Sequence, residues 1–325
     1  MKPFTFYKPT ELEGASKLLS GVGRGHVLAG GTDLMTEMKQ GVIEPELLIS
    51  ASDIKDMFGI VWNNSGLTIG SMVTLDEIAS DTNIGSRIKS LAEAAISIAT
   101  PQIRNIATLG GNLCQRPRCW YYRNVRFNCL KKGGEKCFAI GGSNKYNAIL
   151  GGADSCYIVH PSDSATVLVA LKAKVDIFRN FQRVTIPIRD FFIGPEVDVT
   201  RENILEPGDI LISVQIPKES MDGKNVFLKA KERQSMDFAI ASVAAMVKME
   251  NGLITEVGIA AGGVAPTPRH LTSTEQKLIG YCVEDIDVQA ISAEAFADAK
   301  ILSQNGYKLQ LVQTYLERAL NLVLR

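Results

Sequence analysis

Histidine is scarce in this chain: there are three in 325 residues, His26, His160 and His270, scattered along its length. That spacing suggests no metal-binding pair and no catalytic triad. Net charge is also absent, with Lys+Arg 35 against Asp+Glu 35, so the chain as a whole lacks the electrostatic footprint of a nucleic-acid or membrane binder. No run of about 18 apolar residues occurs, and Met1–Thr10 lacks the apolar centre of a signal peptide. These absences predict a cytoplasmic protein with no nucleic-acid or membrane partner. Hydrophobic residues at 46% and charged residues at 22% exclude a disordered, collagen-like or coiled-coil chain. The length is that of about two average domains.

What is present begins with alternating helix and strand signals. Thr10 with Glu13 reads as a capping box opening a short helix through Leu18 and Leu19. Val27-Leu28-Ala29 reads as a strand running into Gly30-Gly31-Thr32-Asp33, with Thr32 able to cap the next helix, and Leu47–Ile49 as the strand after it. The pattern predicts a β-α-β unit over residues 1–55. Residues 56–218 follow, with a strand at Leu67–Gly70, a helix capped by Thr74 and Glu77, a helix around Ile88–Ala99, a helical run at Ser164–Ala173, and strands at Val175–Phe178, Val184–Ile188 and Ile210–Ile216. The polar stretch Pro217–Lys224 makes a boundary. Over 224–325, three antiparallel strands (Phe227–Lys231, Ala239–Met249, Ile254–Ala261) precede two helices, the last carrying a core-facing stripe from Leu309 to Val323.

Two glycine turns draw attention to themselves. In Leu28-Ala29-Gly30-Gly31-Thr32-Asp33 a strand meets a glycine pair and a helix start, where backbone N–H groups and the missing Cβ atoms let a phosphate approach. A plain strand-to-helix turn explains it equally well. Thr100–Asn112 (TPQIRNIATLGGN) holds a second glycine pair, which a tight turn also explains. Neither is a Walker loop or a GxGxxG fingerprint.

Together the two turns are far more specific. AGGTDL followed by TPQIRNIATLGGN resembles the FAD-binding subunit of the xanthine dehydrogenase/carbon monoxide dehydrogenase family of molybdenum hydroxylases. The resemblance continues through HPSDSA (160–165), GDILISVQIP (208–217) and GGVAPTP (262–268), nearly the whole chain. It implies an α+β fold: a two-part PCMH-type FAD-binding domain followed by a small C-terminal α+β domain. It also implies that Leu28, Ala29, Gly30, Gly31, Thr32 and Asp33 bind the FAD diphosphate. By the same resemblance Ile103, Ala107, Thr108, Gly110, Gly111 and Asn112 line the cofactor, and Asp163 contacts its ribityl or flavin region. Leu211 or Ile212 packs on the isoalloxazine, with no decision between them. Lys229 also maps onto the site, although a solvent-facing strand lysine is the plainer reading.

Cysteine is concentrated: Cys114, Cys119, Cys129, Cys137 and Cys156 fall in one stretch and only Cys282 lies outside, most simply as a core residue. In relatives without extra metal, GGN is followed closely by the serine–aspartate motif. Here an insertion of about 40 residues intervenes. Four thiolates from one loop suit a [4Fe–4S] cluster. Eight Lys/Arg against two acids between Cys114 and Cys156 would lower thiol pKa values and offset cluster charge. Three alternatives stay open: a zinc site, for which only Cys114-x₄-Cys119 approaches the usual pairing; an RNA-binding stretch using Trp120, Tyr121 and Tyr122; and free buried cysteines. The loop also resembles the insertions in the flavin subunits of 4-hydroxybenzoyl-CoA reductase and of a periplasmic-type aldehyde oxidoreductase, which imply a [4Fe–4S] cluster beside FAD. Cys114 follows GGNL directly and belongs to the flavin scaffold, so the expected ligands are Cys119, Cys129, Cys137 and Cys156.

No nucleophile–base pair or acid–base dyad emerges, which points to an electron-transfer module whose chemistry belongs to its cofactors. The resemblance implies two partners, a molybdopterin-binding large subunit and a small subunit with two [2Fe–2S] clusters, and an external electron carrier such as ferredoxin. CWYYR and CLKKGG favour a role like that in 4-hydroxybenzoyl-CoA reductase. An aldehyde or purine/heteroaromatic dehydrogenase subunit is the runner-up, and a non-redox protein with a zinc- or RNA-binding loop is the rival from another class.

Overall fold

Short strands and capped helices in the first fifty residues build a parallel sheet. A computed structural model of the chain describes residues 1–325. Strands β1 (Thr5–Tyr7), β2 (Gly25–Leu28) and β3 (Leu47–Ser50) pair in the order β1-β3-β2, with α1 (Leu12–Ser20) and α2 (Leu34–Gln40) as the connections. Helix α1 starts after Glu11 with no side-chain cap, so the expected Thr10–Glu13 box does not form. Asp33 rather than Thr32 sits at the start of α2, also without a capping hydrogen bond, because its carboxylate is engaged elsewhere.

The middle region adds the hairpin β4 (Ile60–Asn63) and β5 (Gly66–Gly70), helices α3 (Leu75–Ser80), α4 (Thr82–Arg87) and α5 (Lys89–Ser97), and the one-turn helices α6 (Pro101–Arg104) and α7 (Leu109–Leu113). The Thr74–Glu77 capping box forms fully: the Glu77 carboxylate accepts from the Thr74 N–H at 2.7 Å, and the Thr74 hydroxyl accepts from the Glu77 N–H at 3.2 Å. After the cysteine loop come α8 (Asp163–Ala170), β6 (Lys174–Arg179), β7 (Gln182–Pro187) and β8 (Ile210–Pro217). The five-stranded sheet runs β4-β5-β8-β6-β7 and is antiparallel throughout.

Helix α9 (Lys218–Met221) leads into the last unit: β9 (Lys224–Ala230), β10 (Ala241–Glu250), β11 (Leu253–Gly262), β12 (Arg269–His270), α10 (Thr272–Gln276), α11 (Val288–Glu294) and α12 (Tyr307–Leu324). Its sheet has four strands, β12-β11-β10-β9, not the three expected. The extra strand is a two-residue edge pairing of Arg269 and His270 with Ala261 and Ala260, too short to leave a periodic signal. Three α-helices rather than two follow, and Val312, Leu316, Ala319, Leu320 and Val323 bury one face of α12. Cys282 is only half-buried at the strand margin. No helix is long and apolar enough to cross a membrane.

Candidate functional site

The two glycine turns lock into each other. A Cβ on Gly30 would lie 1.9 Å from the Ile106 carbonyl oxygen, and one on Gly110 would lie 2.7 Å from the Ser71 Cβ. These glycines are therefore needed for backbone packing, before any ligand is considered. Gly31 adopts a left-handed φ of 70° with the Leu28 side chain beneath it. The second segment is not the tight turn that its glycines suggest. It is two capped helical turns: the Thr100 hydroxyl accepts from the Ile103 N–H at 3.4 Å, and the Thr108 hydroxyl from the Gly111 N–H at 3.1 Å. Pro101 stands at the first helical position of α6, where its missing N–H costs nothing.

Between these segments lie two cavities of about 430 and 300 Å³ that share Thr32, Asp33, Gly111 and Gln115 as walls. Ala29, Gly30, Gly31, Thr108, Gly110 and Leu211 line the larger cavity. Ile103, Ala107, Asn112, Asp163 and Lys229 line the smaller. Leu28 and Ile212 line neither. Ile212 is the extra residue of a β-bulge, skipped where Asp176 pairs with Ser213 and Ile177 with Leu211, and it is fully buried with Ile49 and Ile54. Arg116, Arg118 and Arg123 of the cysteine loop also line the cavities, as does Phe238. No local sequence signal points to these four, since chain separations of 80 residues and more bring them to the first turn.

Lys229 is no solvent-facing lysine. Its ammonium lies 2.7 Å from the Asp163 carboxylate with both side chains almost wholly buried, and it also donates to the Ser97 carbonyl at 3.2 Å. Burial pushes the Asp163 carboxyl up while Lys229 opposes the shift. Ser162 caps α8 by accepting from the Ala165 N–H at 3.0 Å, and its hydroxyl donates to the Asn112 side-chain oxygen at 2.5 Å.

The loop's positive excess is answered mainly by acids of the scaffold. Asp33 accepts from the Arg116 N–H at 2.7 Å, from Arg123 at 2.8 Å and from Arg118. Burial pushes the Asp33 carboxyl up, but the arginines outweigh it and hold it below its ordinary value. Glu202 receives Arg116 at 2.6 Å and Lys131 at 2.5 Å, and Lys145 meets Glu232 at 2.7 Å. These ion pairs also dock the loop on the scaffold, while Lys131 still acts to lower the Cys156 thiol. Tyr122 is buried and donates to Glu37 at 2.7 Å, while Tyr121 packs on Phe127 and Phe138. Of the three aromatics only Trp120 is exposed, so no stacking platform for RNA bases is formed.

Cys119, Cys129, Cys137 and Cys156 line one small space with Tyr121, Asn147 and Ile158. Cys114 lies apart on the larger cavity, where burial and then Glu202 push its thiol up to about 12. Neighbouring backbone N–H groups oppose the effect of burial on the Cys119, Cys137 and Cys156 thiols. The neighbouring Cys156 thiol holds the Cys137 thiol below its ordinary value despite burial. Burial nevertheless keeps the Cys119 thiol above its ordinary value. No group of three or more His, Cys, Asp or Glu side chains stands arranged around a metal ion's position, at the four cysteines or elsewhere. All six cysteines are free thiols.

Residues 2–219 match the family model for the FAD-binding domain in molybdopterin dehydrogenase, and residues 226–323 match that of the CO dehydrogenase flavoprotein C-terminal domain. The chain belongs to the flavin subunits of the molybdenum hydroxylase family. It is an oxidoreductase subunit built around an FAD-binding domain. Among curated relatives, the aldehyde oxidoreductase FAD-binding subunit PaoB of Escherichia coli is 30% identical over 322 residues, 98% of either chain. The carbon monoxide dehydrogenase medium chain of Hydrogenophaga pseudoflava is 25% identical, over 98% of this chain and 96% of that one. In fold the chain is similar to the carbon monoxide dehydrogenase of H. pseudoflava, with a TM-score of 0.78 at 24% identity, covering 99% of this chain and 97% of that one. It is also similar to quinoline 2-oxidoreductase of Pseudomonas putida, with a TM-score of 0.76 at 18% identity over the same shares.

Proposed function

We propose that this chain holds FAD in the cleft between its glycine turns and one [4Fe–4S] cluster on Cys119, Cys129, Cys137 and Cys156. In this reading it carries electrons between an external one-electron carrier, such as a ferredoxin, and partner subunits bearing two [2Fe–2S] clusters and molybdopterin. The observation that carries the cluster is the sorting of the cysteines: four line one space and the fifth, Cys114, lines another. The four cysteines would hold the cluster, which would supply one-electron transfer. The space these cysteines line with their neighbours is about 10 Å³. When bound, FAD exchanges electrons in pairs or singly and the cluster singly.

The chain's own residues position and insulate. Asp163 and Lys229 form a neutral buried pair at one cavity wall. Leu211 presents an apolar surface to the other cavity. Residues 1–55, 56–218 and 224–325 are read as the three structural divisions, with the loop at about 114–156 inserted in the second. The cytoplasm is the compartment that fits six free thiols.

For the complex we favour a role like that of 4-hydroxybenzoyl-CoA reductase, on the CWYYR and CLKKGG segments. The second reading, an aldehyde oxidoreductase, is favoured by the 30% identity to the E. coli subunit. Anaerobic purification with iron, acid-labile sulfide and flavin counted per chain tests the cofactors. The expected result is one FAD with four iron and four sulfide. Replacing Cys119, Cys129, Cys137 or Cys156 by serine should lower the iron, whereas C114S should retain it. Flavin without iron from an oxygen-free preparation overturns the cluster. Aldehyde oxidation measured against aryl-CoA reduction by the purified complex separates the two substrate readings.

A further inference from the structure

FAD has two ring systems joined by a diphosphate. If each half takes one cavity, the diphosphate crosses at their shared wall, where Asp33 stands. Two negative charges arriving beside a carboxylate need cations. Those lining the cavities from outside the cysteine loop are already committed. Lys229 is paired with Asp163 and Arg201 with Glu206, and burial lowers the basicity of His26.

The remaining cations are the loop's arginines. Arg116 is bound by Glu202. Arg123 is nearly buried, with Asp33 at 2.8 Å and Glu37 at 3.6 Å. Arg118 shares the Asp33 carboxylate with Arg123, and its other contact is the neutral Gln115 side-chain oxygen at 3.1 Å. Its side chain is 28% exposed against 11% for Arg123, and it lines the smaller cavity next to the shared wall. The Phe238 ring lies 4.9 Å from its guanidinium and holds that plane at the cavity wall. The facing acid Asp237 is occupied by Arg233.

We propose that Arg118 is a side-chain ligand of the flavin diphosphate, supplied by the cysteine insertion and shared with Asp33. A guanidinium fork matches phosphate oxygens in a way a lysine does not. The assignment rests on the FAD reading above and deepens it: Arg118 adjoins Cys119, so an occupied cleft would pin the first turn of the cysteine loop.

The test is rebinding of flavin to the deflavinated full-length protein, followed by flavin fluorescence. R118M is expected to weaken FAD about tenfold or more while leaving riboflavin, which has no phosphate, bound as in the parent. R118K should fall between. R126M, at an exposed loop cation that forms no ion pair, should keep FAD affinity within about twofold. R118M binding FAD as tightly as the parent overturns the proposal. If R118M loses riboflavin too, the fold is damaged and R118K decides: a selective loss of FAD supports the assignment and parental affinity overturns it. A parent chain that binds no FAD overturns the flavin reading itself, and Arg118 with it.

Discussion

Gly30 shows how a residue can look like a ligand contact and be a packing requirement. Because a side chain there would meet the Ile106 carbonyl at 1.9 Å, G30A should cost about 1–3 kcal/mol of stability and reduce flavin retention with it. Urea unfolding of the apoprotein separates the two effects, since the packing cost persists without flavin. At the other cavity wall, K229M would leave the Asp163 carboxylate buried without its partner, a change worth about 3–5 kcal/mol near neutrality. An aspartate whose folded pKa is raised binds protons more tightly when folded, so stability falls as pH rises above its ordinary value of 3.8. The deficit of K229M against the parent should therefore shrink on acidification. A deficit that does not change with pH would place the damage in packing instead.

One short element governs the far end of the cysteine loop. The segment before α12 grips it: the Asn305 side chain donates to the Asn147 and Ala148 carbonyls, and Gln304 and Ser303 hold Asn144. Fully buried Lys308 donates to the carbonyls of Tyr146, Asn147 and Gly263 at 3.1, 3.1 and 2.5 Å, with no carboxylate among its partners. Burial brings its pKa down from 10.5 to about 7. Across that window the unfolded chain holds the proton more tightly, so stability rises with pH, at most by about 1.4 kcal/mol per unit. K308M should remove that slope from unfolding free energies measured between pH 7 and 10.5, and should expose residues 139–154 to protease.

Elements of this kind also mark where the sequence stops being readable. The Thr74 box, the apolar runs of strands β6, β8 and β10 and the buried stripe of α12 are local patterns, and each is visible before folding. Thr10 and Thr32 carry the same chemistry without capping, because cap use depends on where neighbouring chain passes. The cysteine loop has one short 3₁₀ turn, Leu130–Lys132, and no α-helix or strand. Its path is set by Asp33, Glu202 and residues 303–308, all distant in sequence. Of the assigned flavin residues, Leu28 and Ile212 miss the cavities, the latter because a bulge breaks the alternation that would otherwise pair it with β6.

At the scale of the whole molecule, the two family-matched parts fit with almost no clearance. A Cβ on Gly258 would lie 1.9 Å from the Ala170 carbonyl oxygen, and one on Gly262 would lie 2.2 Å from the Thr166 hydroxyl, so α8 rests flush on β10 and β11. The chain should unfold in a single transition seen alike by near- and far-ultraviolet circular dichroism, and G258V should split it in two. Asn112 and Ser162, 50 positions apart, are clasped by one hydrogen bond that closes the base of the intervening chain. Removing that stretch would strip Asp33, Glu202 and Lys308 of partners and take Ile149 and Leu150 out of the C-terminal core. A chain closed directly from Asn112 to Ser162 would keep the glycine turns but surrender Arg118 together with the four cysteines.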